Sequence, residues 1–137
     1  MIIDTSALVA ILQGEEDAVD LMRTLQQATL RIMSAASYVE LGLVIDKLRD
    51  PAYSAMVDRL LMRAAIRIAP VTAAQARLAR EAYRRYGRGS GHPARLNYGD
   101  CFSYALARDR ALPLLFKGDD FPHTDIIPAH RPVMPEV

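Results

Sequence analysis

Four short apolar runs, "MII", "LRIMS", "IRIAPV" and "LPLLF", recur along the chain, and a stretch patterned for helix follows each of the first three. Strands this short that alternate with helices cannot pair through tight hairpins. They predict a parallel sheet with helices packed on both faces, an α/β fold. The helical stretches carry their own punctuation. "TSALVAIL" ends at Gly14, and Ser34 or Ser37 is placed to cap a helix from about Ala35 to Leu48. Asp50-Pro51 opens "YSAMVDRLLMRAA", and Thr72 precedes "AAQARLAREAYRRY". "GRGSGHPARLN" reads as a loop, "YGDCFSYALARDRA" as a helix and "DII" as a short fifth strand, while the proline-rich tail "PAHRPVMPEV" is expected to wrap the surface.

With no repeat or linker, the 137 residues are read as one domain over 1–137. A net charge of +1 does not by itself point to nucleic acid, and the single cysteine, Cys101, rules out an internal disulfide and fits a reducing compartment. No segment approaches the roughly 18 apolar residues of a membrane span. The expectation is a soluble, cytoplasmic protein with no membrane association.

Several acids do not fit their surroundings. Asp4 is the only charge among the first fourteen residues, and it directly follows the first strand. Glu40 is the only charge from Ile32 to Ile45. Asp100 opens a helix after Asn97, while Asp119 and Asp120 follow the last long strand in "LLFKGDDF". Each has a local explanation as a helix cap, a first-turn acid or a turn residue. In a doubly wound sheet, however, sites form beyond the carboxyl ends of the strands, so these acids converge if strands one and four are neighbours. Converging carboxylates repel one another, and Lys117 is the one base near them in sequence. A hard divalent cation, Mg2+ or Mn2+, solves that problem with oxygen ligands alone. His92, His123 and His130 lack metal-ligand spacing, and Cys101 reads as a small packed hydrophobe.

"IDTSALVAIL", "SAASYVELGLV", "LNYGDCFSYALA" and "LLFKGDDF" occur in the order and spacing of the PIN domain. More narrowly the chain resembles the VapC-type toxins of bacterial toxin–antitoxin pairs, from Met1 to about Ile127. The resemblance implies a three-layer α/β/α domain with a central parallel sheet of four to five strands. It implies a metal-dependent endoribonuclease that hydrolyses phosphodiester bonds with metal-activated water. Asp4 and Asp100 would be the principal metal ligands, Glu40 would complete the site directly or through water, and Asp119 would be the fourth acid. Lys117 stands where the family often has threonine, and Phe121 follows Asp119 by two residues instead of three. Asp120 is therefore the alternative to a preferred Asp119. Ser6 would steady Asp4 or a metal-bound water, and Asn97 would support the site or touch RNA.

Arg80, Arg84, Arg85, Arg88 and Arg95, interleaved with Tyr83, Tyr86 and Tyr98, lead directly to Asp100. Cations bind phosphates and tyrosines stack on unpaired bases, so this stretch is the candidate RNA-binding rim, with Arg84, Arg85, Arg88 and Arg95 as its phosphate contacts. The resemblance further implies a VapB-type antitoxin that inserts a peptide near the acids, and a homodimer is expected. Met56, Leu60 and Met62 are candidates for a groove or a dimer face. Two other readings compete with the nuclease: a non-catalytic interaction module with this fold, and a receiver-like phosphoacceptor. A receiver needs paired acids at its first strand and an aspartate at its third, and neither is present.

Overall fold

A computed structural model describes residues 1–130, and its central sheet has four parallel strands in the order β3-β2-β1-β4. Strand β1 (Ile2–Ile3) lies between β2 (Ile32–Ser34) and β4 (Leu114–Leu115), and β3 (Arg67–Ala69) forms the far edge. Receiver-like sheets run 2-1-3-4-5, with the third strand inside the sheet, so this order excludes that alternative. The expected fifth strand at "DII" is reduced to one bridge, Leu114 to Pro128, closed by the Ala129 amide donating to the Leu114 carbonyl at 2.8 Å. Two prolines, at 122 and 128, bracket that segment and leave little room for a ladder. The part of the tail expected to wrap the surface that spans 131–137 lies outside the described residues.

Alternation along two-residue strands is enough to split the core. Ile2, Ile32 and Leu114 pack toward helices α5 (Ala73–Tyr86) and α6 (Tyr98–Arg110). Ile3, Met33 and Leu115 pack toward α1 (Thr5–Leu12), α2 (Ala18–Gln27), α3 (Ala35–Asp46) and α4 (Pro51–Arg63). All six strand residues are essentially inaccessible to solvent, each worth about 1.5–3 kcal/mol of hydrophobic burial. The exception is β3, where Arg67 and Ile68 remain exposed at the sheet edge. The helix starts follow the sequence cues. Asp4, Ser34, Asp50, Thr72 and Asn97 each accept a backbone N–H with their side chains at the N-termini of α1, α3, α4, α5 and α6.

Since β1 and β4 are adjacent and parallel, the residues after each emerge at the same end of the sheet. The strand order reverses there, and there the candidate site lies.

Candidate active site at the carboxyl ends of the strands

Asp4 leaves β1 with its side chain buried, and neutral donors hold both of its oxygens. Oδ2 accepts from the Ser6 amide at 3.0 Å and the Ser6 hydroxyl at 2.6 Å, while Oδ1 accepts from the Ser103 hydroxyl at 2.5 Å. Ser6 Oγ in turn accepts from the Lys117 amide at 3.0 Å, which ties the segment after β4 to the one after β1. Ser103 is also within 3.0 Å of the Ser37 hydroxyl, and Thr5 donates to the Ser37 carbonyl at 2.9 Å. Asp4 is thus both a helix cap and the centre of a polar network linking α1, α3 and α6. The sequence reading offered Ser37 only as a helix cap and missed Ser103. Each lies three residues from an acid of its own helix, Glu40 and Asp100, on the same helix face, and that spacing was the available signal.

Asp100 occupies the third position of α6 in a reciprocal cap. Its Oδ2 accepts the Asn97 amide at 3.0 Å, and Asn97 Oδ1 accepts the Asp100 amide at 2.9 Å. Asn97 therefore orients Asp100. Burial pushes the Asp100 carboxyl up to about 7 against the opposing pull of the Asn97 N–H, and the charges of Asp4, Asp120 and Glu40 add to the rise. Glu40 is also raised, first by burial, with Thr5 opposing and Asp4 contributing. Its carboxylate lies against the backbone of Gly99, where a Cβ would collide with Oε2. A glycine at 99 is what lets α3 bring Glu40 beside Asp100.

Asp100 feels the charges of Asp4, Glu40 and Asp120, and none of the four forms an ion pair among the described residues. Of the two candidates after β4, Asp120 is half-buried and its charge reaches Asp100, whereas Asp119 is exposed and is absent from the charges acting there. The structure thus brings Asp120, rather than the preferred Asp119, toward Asp100. The turn at Gly118 (φ +110°) rotates the chain just before the pair. Lys117 does not neutralise the cluster. Its Nζ is 3.2 Å from Glu15 and 3.1 Å from Asp17, away from the four acids.

Among the described residues, no three carboxylate, imidazole or thiol side chains converge closely enough to grip a metal ion directly. The donor set nonetheless fits a small hard cation. Mg2+ keeps several waters and takes only one or two protein carboxylates, so Asp4 and Asp100 can hold it with Glu40 and Asp120 acting through water. The remaining candidates are structural. Burial, with the Asp100 charge adding, raises the Cys101 thiol to about 11, so it is no thiolate nucleophile at neutral pH. His92 accepts the Ala94 amide through Nδ1 and packs edge-on to Tyr86, and His130 lies 3.3 Å from the Thr24 hydroxyl.

On the rim, Arg84, Arg85, Arg88 and Arg95 are all exposed, and none pairs with a carboxylate among the described residues. The Arg88 amide donates to the Leu96 carbonyl, so the stems of the loop bring Arg88 and Arg95 to adjacent chain positions. Tyr86 does not belong to the rim, being buried in the core against His92 and Tyr104 with the Arg85 guanidinium over its ring. Met56 and Leu60 line an apolar groove of about 630 Å³ with residues of α1 and α2, whereas Met62 is exposed outside it.

The PIN domain family model matches residues 1–127. The chain belongs to the PIN domain family. Its relatives place it in the VapC ribonuclease group. It is 56% identical over 126 residues to ribonuclease VapC28 of Mycobacterium tuberculosis, covering 92% of this chain and 95% of that protein. It is 55% identical over 129 residues to ribonuclease VapC42 of the same organism, covering 94% and 98%. Among solved structures it resembles M. tuberculosis VapC20, a sarcin-ricin loop cleaving toxin, with a TM-score of 0.73 at 17% identity over 96% of this chain and 98% of that one. A toxin–antitoxin complex from Klebsiella pneumoniae has a TM-score of 0.61 at 16% identity, with 82% of each chain covered. At such identities the structural likeness speaks for the fold alone. No helix among the described residues is long and apolar enough to cross a membrane.

Proposed function

We propose that this protein is a Mg2+-dependent endoribonuclease, with Mn2+ as an acceptable substitute, and that it is the toxin of a type II toxin–antitoxin pair. The observation that carries the reading is the Asp100 carboxyl, raised first by burial and further by three neighbouring acids that no cation of the described chain neutralises. Relatives more than half identical over nine-tenths of the chain bear the name ribonuclease, which supports the reaction class.

Asp4 and Asp100 would hold the cation, with Glu40 and Asp120 reaching it through water. When bound, it supplies Lewis-acid activation of water and neutralises charge developing on the phosphodiester. The chain does the positioning. Ser6 and Ser103 lock the Asp4 carboxylate with three hydrogen bonds, and Asn97 fixes Asp100, so neither acid must be ordered when substrate arrives. The α6 N-terminus adds a partial positive charge beside a phosphate, and Arg84, Arg85, Arg88 and Arg95 attract the strand. A VapB-type antitoxin is the proposed protein partner, with a cationic side chain answering the acids. A homodimer belongs to the same reading.

The test is RNA cleavage by protein purified free of any antitoxin, with Mg2+ and with EDTA, beside Asp4→Asn. Cleavage that requires the metal and disappears in the variant is expected. Absence of metal-dependent cleavage across tRNA, ribosomal RNA and messenger RNA would favour a non-catalytic module.

A further inference from the structure

Tyr98 is 78% exposed at the first position of α6, two residues before Asp100. It stands at the mouth of an apolar slot of about 320 Å³ between α5 and α6. Ala76, Ala79, Arg80 and Tyr83 form one wall at helical spacing, and Tyr98, Cys101 and Phe102 form the other. Elsewhere this seam is closed by small buried residues such as Ala82 and Ala105. Here it stays open, and aromatic rings line it.

The rings are held in place. Tyr98 meets Phe102 edge to face, with centroids 4.9 Å apart and planes at 79°. Tyr83 lies against Gly87, where any Cβ would collide with the tyrosine. Arg80 lines the slot and Arg84 follows one turn later, both exposed and outside any ion pair among the described residues.

From these placements we infer that the slot is a stacking subsite for one unpaired nucleobase of the RNA, inserted against Tyr98, with Arg80 on its neighbouring phosphate. The inference rests on the nuclease reading for the identity of the strand. Position supports it: residues two apart on a helix face nearly opposite sides, so Tyr98 and Asp100 flank the first turn of α6. A helix is about 10–12 Å across with its side chains, so a strand crossing that turn reaches both with roughly one or two nucleotides between them. Charge supports it too, since cations beside an apolar slot match a base carried on a phosphate backbone. Walls whose exposed surface is almost wholly apolar read the face of a base and not its edge, so the subsite requires a base and tolerates any of the four.

The test uses the full-length protein in EDTA and a fluorescein-labelled, unstructured 12-nucleotide RNA, followed by anisotropy. Versions of the RNA carry one abasic position at successive sites. Tyr98→Ala is expected to weaken binding roughly 5- to 100-fold, and Tyr98→Phe to keep it within about two-fold. At one abasic position the loss should already be present, so that Tyr98→Ala adds nothing further. Unchanged binding by Tyr98→Ala, additive losses at every position, or no RNA binding by the parent would overturn the subsite. So would a shift of the monomer–dimer equilibrium in sedimentation with RNA affinity intact, which would make the slot a contact between copies of this chain. Cleavage by the parent in Mg2+ separates the two proposals: cleavage with additive losses removes only the subsite, and non-additive losses without cleavage remove only the nuclease.

Discussion

Two groups of acids in this chain are treated differently. Glu15 and Asp17 share Lys117 at 3.2 and 3.1 Å, Asp20 pairs with Arg23 at 3.0 Å, and Asp125 pairs with Arg108 at 3.1 Å. These are surface pairs, individually of small worth. Asp4, Glu40, Asp100 and Asp120 receive hydroxyls, amides and burial but no charge of opposite sign among the described residues. The contrast is sharpest at Lys117, three residues before Asp120, whose amide serves the site while its ammonium turns to the other acids. A sequence with 17 basic residues had the means to neutralise the cluster. Leaving it unneutralised keeps the charge available for a cation from outside.

The largest break in that contrast is to remove charge from the uncompensated set. Changing residues that merely support a metal ligand costs about 10–100-fold in activity or affinity, so Asp100→Asn is expected to cost more than that in single-turnover RNA cleavage. Its melting temperature in EDTA should hold or rise, because a like charge has gone. A variant that cleaves within ten-fold of the parent would show that Asp100 serves only as a helix cap. Ser103→Ala comes next. It leaves every charge in place but takes the 2.5 Å donor from Asp4 Oδ1, and about 10–100-fold lower cleavage is expected with a weaker apparent affinity for Mg2+. Unchanged Mg2+ dependence would place Ser103 among packing residues. Smaller still is the comparison after β4. Asp120→Asn should lose about ten-fold and Asp119→Asn less than two-fold in the same assay, and the reverse order would return the fourth acid to Asp119.

Much of this arrangement was legible before any coordinates. The strand–helix alternation predicted the parallel sheet, because strands of two or three residues can be held only between covering helices. The caps at Ser34, Thr72 and Asn97 were readable because capping is a local transaction between neighbours. Asp4 and Glu40 stood out for being alone among apolar residues. What could not be read depends on rotation about single residues. Gly118, at φ +110°, turns the chain just before two adjacent aspartates of which Asp120 is the one whose charge reaches Asp100, and no spacing rule reports it. Tyr86 looked like its neighbours Tyr83 and Tyr98, yet its place in the last turn of α5 aims it into the core. Ser103 reaches Asp4 across 99 positions of sequence, a distance at which only the fold can introduce the pair.

The same contrast has a signature in pH. Asp100 has a folded pKa of about 7 against an ordinary 3.8, so the metal-free folded state binds its proton more tightly than the unfolded chain does. Its contribution to stability is therefore present below about pH 4, declines as pH rises toward 7, and is gone above it. Lys117 runs on a different clock. Asp17 and Glu15 hold its pKa above 10.5, so its contribution persists through the neutral range and fades only at alkaline pH. In EDTA the parent should melt a few degrees lower at pH 8 than at pH 5, and Asp100→Asn should flatten that difference, whereas Lys117→Gln should leave it intact. Mg2+ should raise the melting temperature more at pH 8, where the acids are ionised and the cation competes with no proton. An Asp100→Asn protein with the parent's full slope between pH 5 and 8 would mean that its neighbours, not Asp100, hold the proton, and that the cluster ionises in a different order from the one its burial dictates.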